Sequence, residues 1–431
     1  MTPDAAPAPV SAVIIAVGSE LLTPHKVDTN SLYLTEQLER VGLAVRRKLV
    51  TGDDAAEIGD ALRQALRPGE LIILTGGLGP TDDDRTRETV AEVLGLPLAE
   101  DTAIVADIRA RFAARGLEMP DLNRRQALVP AGAGVLGNRR GTAPGLWMDH
   151  GGAIVVLLPG PPRELRPMFE RHVFARLAER TGVSGIYRRV LRIAGRAESA
   201  VESVAYPVYS AWQTADPPIA TTVLSSLGQI ELHLSTRAPR PEDAERRLDA
   251  ATSELAAVLG RDLFSSNGSA LEVVVGDLLR RHGLQVAVAE SCTGGLVTSR
   301  LTDVPGSSAY VRAGWVAYSN EAKIAALAVD AGLLEAHGAV SEEVAAAMAQ
   351  GARSRAGADV GLGVTGIAGP GGGTVDKPVG TVWVALEGPG SARRARRLQL
   401  PGERERVKFQ ASQAALDMLR RTLLRLQADP G

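Results

Sequence analysis

Apolar positions along the chain recur in two patterns. Toward both ends, short uninterrupted apolar runs of strand length alternate with helix-length segments that are apolar on one face. That alternation predicts an α/β fold, in which helices cover mostly parallel sheets. In the first region Ser11 to Val17 reads as a buried strand, and Asp28 to Val41 as a helix capped by Asp28 or Thr29. Strands at Val45 to Val50 and Leu71 to Thr75 flank a helix from Asp53 to Leu66. Helices at Arg85 to Leu94 and Thr102 to Arg115 precede a strand at Ala153 to Leu158 and a helix from Arg163 to Glu179.

The middle of the chain differs. Strict alternation predicts strands at Tyr187 to Ile193 and Gln229 to Ser235, with helices at Glu198 to Val208 and Pro241 to Val258. This is a small α+β module, and Ser265 to Ser269 reads as a linker. In the third region the helices run from Leu271 to Arg281, Gly294 to Leu301, Glu321 to Val329, Ser341 to Ala356 and Glu403 to Gln427. The strands are Gln285 to Ala289, Ala309 to Ser319, Val360 to Thr365, Gly380 to Leu386 and an edge strand, Arg394 to Leu400. The expected organisation is two three-layer α/β domains, residues 1–175 and 265–431, joined by the α+β module at 176–264.

Composition narrows the function classes. The chain has 431 residues, 45% of them apolar, enough for several independent cores. Aromatics make up only 3%, so those cores rest on Ala, Val, Leu and Ile. A formal net charge of -2 supplies no pull toward nucleic acid or an acidic membrane. Cys292 is the only cysteine, which rules out an intramolecular disulfide or a multi-cysteine metal site and suits a reducing cytoplasm. The apolar stretch Val10 to Val17 is too short to span a bilayer and has no basic region before it.

The chemistry concentrates at strand ends. In Ala289-Glu290-Ser291-Cys292-Thr293-Gly294-Gly295 a buried strand runs into small residues and two glycines that open a helix. A hydroxyl there stands at the carboxyl edge of the sheet, where open α/β sheets bind ligands, with backbone N–H groups beside it. Serine needs a base. Tyr318-Ser319-Asn320-Glu321-Ala322-Lys323, at a second strand end, offers Lys323 for that role and Tyr318 as a relay or donor. A third strand end opens the loop Thr365-Gly366-Ile367-Ala368-Gly369-Pro370-Gly371-Gly372-Gly373, whose bare amides suit an anion. Each piece alone has a plainer reading: Ser291 and Thr293 as helix caps, Lys323 as a solvated charge, the glycines as a loop. Their coincidence at three successive strand ends favours a site. Cys292 stands as the rival nucleophile.

These pieces, with Gly402-Glu403-Arg404 in place of a Gly-Asp-Arg, resemble the C-terminal domain of the CinA family over residues 268 to 431. The resemblance implies nicotinamide mononucleotide deamidase activity, releasing ammonia and the corresponding acid. It also implies Ser291 as nucleophile, Lys323 and Tyr318 in proton transfer, and substrate contacts from Thr293, Gly294, Gly295, Asn320, Thr365, Gly366, Gly369, Gly371 and Arg404, with the 365–373 loop and Arg404 holding the nucleotide phosphate. This domain needs no cofactor on that reading.

In the first region a buried strand enters Thr75-Gly76-Gly77-Leu78-Gly79-Pro80-Thr81-Asp82-Asp83-Asp84. The glycines let backbone approach phosphate, Thr81 adds a donor, and the carboxylates suit either a divalent metal or simple helix capping. With Gly18-Ser19-Glu20-Leu21-Leu22, Asp28-Thr29-Asn30-Ser31, Gly141-Thr142-Ala143-Pro144-Gly145 and Pro159-Gly160-Pro161-Pro162, this resembles the molybdopterin-binding-like domain of CinA proteins over about residues 10 to 172. The implication is ADP-ribose pyrophosphatase activity, with Gly76, Gly77, Gly79 and Thr81 on phosphate and Asp84 and Asp28 as metal or catalytic carboxylates. Two departures stand out. Thr23-Pro24-His25-Lys26 replaces the family's usual Gly and Gln, and Asp83 replaces the arginine of molybdenum-cofactor enzymes. The second departure argues against molybdopterin itself.

Residues 180 to 262 resemble the KH-like module of the same family but lack a Gly-x-x-Gly clamp for nucleic acid, so scaffold or homodimer contact is expected. The run Arg393-Arg394-Ala395-Arg396-Arg397 reads as a charged edge strand that blocks sheet-to-sheet aggregation. His282 and His337 lack ligand-spaced partners. The competing expectation is a protein that binds nucleotides, or takes part in competence, without catalysis.

Overall fold

The computed structural model describes residues 8–182, 185–226, 228–389 and 393–428. The chain divides into two compact units, Met1–Tyr187 with Thr236–Arg246, and Arg188–Ser235 with Arg247–Gly431. No described helix is long and apolar enough to cross a membrane.

The first unit is built on strands β1 (Ser11–Val17), β2 (Ala44–Thr51), β3 (Glu70–Thr75), β4 (Leu98–Glu100), β5 (Leu128–Pro130), β6 (Gly134–Leu136), β7 (Gly145–His150) and β8 (Ala153–Leu158). Six of them form one sheet in the order β2-β1-β3-β8-β7-β6. The first four are parallel, and β7 and β6 add antiparallel strands at one side. β4 and β5 make a separate antiparallel ribbon.

The apolar runs recognised in the sequence are continuous because both faces of this sheet are covered. Side chains alternate across it. Ala12, Ile14, Leu71, Ile73, Ile154 and Val156 pack with Leu34, Leu38 and Leu165 on one face. On the other, Val13, Ile15, Ile72, Leu74, Val155 and Leu157 pack with Ile58, Leu62 and Val90. The helix Thr29–Arg40 is capped by Asp28, which accepts from the Ser31 N–H at 2.9 Å.

The middle segment carries the four-stranded sheet β10-β11-β9-β12, from β9 (Gly185–Ala194), β10 (Ile219–Ser226), β11 (Gln229–Ala238) and β12 (Leu263–Ser265). β12 pairs with β9, so Ser265, read as linker, ends a strand. The turn after it is tied by Asn267 Oδ1, which accepts from the Ser269 N–H and hydroxyl.

The remaining strands are β13 (Val286–Glu290), β14 (Val311–Val316), β15 (Val360–Gly366), β16 (Thr381–Glu387) and β17 (Arg393–Gln399), in the order β14-β13-β15-β16-β17. The first three are parallel and the last two antiparallel, so this sheet is mixed, with the arginine-rich β17 at an edge. One face is valine- and leucine-rich and packs on helices Leu271–His282 and Arg404–Ala428. The other is built of Ala and Gly. A β-carbon on Gly361 or Gly363 would fall 2.0 Å from the Ala349 carbonyl or 2.3 Å from that of Ala345, so helix Glu342–Ala356 lies directly on the backbone.

Candidate active site

β13 is the central parallel strand of its sheet, with β14 on one side and β15 on the other. Glu290 is level with Val316 of β14 and Val364 of β15. The three segments that follow therefore leave the sheet at one edge, at the point where strand order reverses. Two backbone bonds pin them together: the Ser291 N–H to the Val364 carbonyl at 2.9 Å, and the Ala317 N–H to that of Glu290 at 2.8 Å.

After Glu290 the chain turns tightly. Gly294 (φ 62°) and Gly295 (φ 93°) both sit in the left-handed region, and the helix starts only at Leu296. The expected start at Gly294 is thus corrected: left-handed residues form the turn before the helix and cannot be part of it. Glu290, wholly buried, closes the turn. Its carboxylate accepts from the Val297 N–H at 3.0 Å and from the Thr298 N–H and hydroxyl at 2.8 and 2.7 Å. The first N–H groups of this helix are therefore satisfied by the residue beside Ser291. The Thr293 N–H, by contrast, has no acceptor among the described residues, and that of Cys292 meets only its own thiol.

Lys323 reaches this turn from helix Asn320–Leu327, which is capped by the Ser319 side chain. Its ammonium nitrogen is 3.2 Å from Ser291 Oγ, 3.1 Å from the Tyr318 carbonyl and 3.4 Å from that of Ser319. Lys323 is 1% exposed and Ser291 8%. Burial disfavours the charged amine and lowers the Lys323 pKa from its ordinary value. The nitrogen donates to both carbonyls and to Ser291 Oγ, and once deprotonated it can turn its lone pair to the serine hydroxyl.

Cys292 meets the opposite conditions. It packs in the apolar core with Val288, Val297 and Val364, and burial pushes its thiol up to about 12. A thiol held that far from ionisation is a poor nucleophile.

Arg404 begins the terminal helix and joins two of the edge segments. It donates to the Gly369 carbonyl at 2.9 Å and to the Tyr318 hydroxyl at 3.0 Å. The Tyr318 side chain is exposed and turned toward Arg404. Lys323 is met by the Tyr318 main chain, and no contact joins the Tyr318 hydroxyl to Ser291 or Lys323.

In the first unit, register places the ends of β1, β3 and β8 at one edge: Ala16 is level with Thr75, and Thr75 with Leu158. The loops after them line a cleft of about 1230 Å³ whose walls include Gly18, Asp28, Gly76, Gly141 and Gly160. All five loops singled out in the first region thus contribute to one cavity. Gly76 (φ 99°) passes so close to β1 that a β-carbon would fall 2.2 Å from the Val17 carbonyl. The 76–84 loop is held from behind by Arg87. This fully buried side chain donates to the carbonyls of Leu78 at 3.0 Å and Arg125 at 3.1 Å.

The expected metal ligands make bonds of their own. Asp84 accepts from the Thr81 N–H and hydroxyl, at 3.0 and 2.5 Å, and Asp28 caps its helix. The described residues contain no grouping of three or more His, Cys, Asp or Glu placed to share an ion. Two carboxylates already engaged in turns do not fit a metal centre unaided.

Family models match both halves of the chain. Residues 268–423 match the "CinA C-terminal domain", and residues 13–179 the "Probable molybdopterin binding domain". A CinA-like protein of Acidobacterium capsulatum is 46% identical over 96% of this chain and 100% of its own length. The chain belongs to the CinA family. A second CinA-like protein, from Solibacter usitatus, is 43% identical over 96% of this chain and 98% of its own. Among solved structures, a competence/damage inducible protein from Agrobacterium tumefaciens is 40% identical, covering 35% of this chain and 95% of that one, with a TM-score of 0.33.

Within this CinA chain the residues expected at the C-terminal site divide into groups. Ser291, Lys323 and Thr293 lie at the strand-end turn, and Thr293 is wholly buried with no partner for its hydroxyl among the described residues. Arg404 and Gly369 are bonded to each other. Thr365 is buried and donates to the Ala339 carbonyl, and Gly366 has no room for a side chain beside Val382. Asn320 is exposed, and Gly371 lies in open space. Sequence reasoning missed Glu290 and Arg87. Glu290 falls just outside the predicted strand, although an acid continuing a fully apolar run is itself a signal that a partner awaits it.

Proposed function

We propose that the C-terminal site is a serine amidase that deamidates nicotinamide mononucleotide, a step of pyridine-nucleotide salvage. The observation that carries this reading is the buried Lys323 amine 3.2 Å from Ser291 Oγ. Neutral Lys323 takes the Ser291 proton as Oγ attacks the carboxamide carbon. The N–H groups of Cys292 and Thr293 meet the developing oxyanion. Protonated Lys323 then returns its proton to the departing nitrogen, and ammonia leaves an ester on Ser291. Water, deprotonated by the same amine, attacks that ester. Nicotinate mononucleotide is released and the serine restored. Tyr318 acts through Arg404 to order the rim of the site.

The test is ammonia release from nicotinamide mononucleotide. Ser291→Ala loses it, while Cys292→Ala keeps it within a few-fold. The opposite pattern would transfer the nucleophile role to the thiol. Binding of the nucleotide without turnover in the wild type would favour a binding protein instead.

For the first unit we propose an anionic nucleotide as ligand, with ADP-ribose the candidate. The support is the convergence of five loops, three of them rich in glycine or proline, on one cleft. Titration calorimetry with ADP-ribose, with and without magnesium, tests it; absence of binding in both would reject it. No hydrolytic step is assigned there, because Asp28 and Asp84 make no metal set by themselves.

A further inference from the structure

Lys408 stands on the terminal helix Arg404–Ala428, one turn after Arg404 and so on the same face. Its ammonium nitrogen lies 3.5 Å, and its Cε 3.9 Å, from the point that a β-carbon on Gly294 would occupy. The side chain therefore lies against the turn three residues beyond the nucleophile, within van der Waals reach of Gly294. Neither Arg404 nor Lys408 has a carboxylate partner among the described residues. Both occupy the first two turns of their helix, where the backbone dipole disfavours cations. Two unneutralised cations so placed are stabilised by an anion.

The surrounding groups narrow what that anion is. The N–H groups of Cys292 and Thr293, which follow Ser291 directly in the chain, suit the oxyanion. The N–H groups of Val297 and Thr298 are already engaged by Glu290. Arg404 holds the Gly369 carbonyl and the Tyr318 hydroxyl, whereas Lys408 makes no hydrogen bond to any described residue. Resting on the amidase reading above, we propose that Lys408 is the specificity-determining cation that binds the substrate's phosphate, so that the enzyme selects mononucleotides over neutral nucleosides.

The experiment compares wild type, Lys408→Met and Lys408→Arg, assayed for ammonia release from nicotinamide mononucleotide and from the uncharged nicotinamide riboside. Loss of a charge-assisted contact raises KM for the mononucleotide by about 10- to 100-fold, with little change in kcat. KM for the riboside does not move, and arginine restores most of the loss. A KM that rises equally for both substrates, or for neither, overturns the proposal. Calorimetric titration with inorganic phosphate keeps the two readings separate. If wild type releases no ammonia from any nicotinamide nucleotide, the amidase reading fails. Phosphate binding lost in Lys408→Met then still supports an anion site at Lys408, and phosphate binding unchanged by that substitution rejects it.

Discussion

The turns after β3 and after β13 start from the same ingredients and end differently. Each follows a parallel strand buried along its length, and each bends through two left-handed glycines, Gly76 and Gly77 in one, Gly294 and Gly295 in the other. Each also has a hydroxyl and a carboxylate. In the first, Thr81 and Asp84 bond to each other across three residues, so the turn satisfies itself. In the second, the carboxylate of Glu290 is engaged by the following helix, and Ser291 is left to a lysine 32 residues away. Local closure makes a rigid loop able to hold a ligand. A partner supplied from a distant segment, buried and thereby weakened as a cation, makes a reactive pair.

The largest effects should come from separating that pair. Ser291→Ala is expected to lower turnover by about 10⁴-fold, and Lys323→Met by about 10³-fold, with the thermal midpoint little changed. The pH profile sharpens the point. On the proposed mechanism the neutral amine is the reactive form, and burial lowers its pKa, so kcat/KM should rise with pH through a limb set below the ordinary lysine range and then level off. Lys323→Met should abolish that limb. A limb that persists in this variant would show that another group is the base. In the first unit, Thr81→Val should leave ammonia release untouched.

Next in size is a backbone effect that separates a tight glycine from an open one. Gly76→Ala puts a methyl 2.2 Å from the Val17 carbonyl in a left-handed residue, so β1 and β3 must part. A loss of roughly 3 kcal/mol or more is expected by denaturant titration. Gly371, where a β-carbon would meet nothing within 4 Å, should accept Ala within about 1 kcal/mol. Equal losses would mean that the cleft loop is looser than its contacts imply.

How far the residues themselves foretold these sites follows from the same contrast. β1 and β8 lie where their apolar runs do, because burial on both faces leaves no polar interruption. The Asp28 and Ser341 caps were equally readable, since a cap bonds only two or three residues ahead. β10 was missed: its Ala-Thr-Thr-Val-Leu-Ser-Ser run is mostly solvent-facing and has no apolar period of its own. β7 was missed because Gly145 and the polar Asp149-His150 end hide a buried Leu-Trp-Met core. At the C-terminal site, the Ser291 turn could be read from local residue types and Lys323 from its place at a second strand end. Nothing near Lys408 or Arg87 in sequence marks them, because Arg87 bonds the carbonyls of Leu78 and Arg125 and Lys408 lies against the Gly294 turn of a distant segment.

The smallest expected effect tests both turns with one chemical change. Each contains a wholly buried threonine whose hydroxyl has no partner among the described residues, Thr86 beside Gly77 and Thr293 beside Gly294. A buried hydroxyl without a hydrogen bond destabilises, so replacing it with the isosteric valine should stabilise the fold by about 1 kcal/mol at either position. What separates the two is activity. Thr86→Val should leave ammonia release unchanged. On the proposed mechanism Thr293→Val should raise KM or lower kcat several-fold, because Thr293 stands two residues after Ser291 in the same turn. If Thr293→Val gains stability and loses no activity, that hydroxyl only fills space, and the substrate must be held by the turn's backbone and by the cations at its rim.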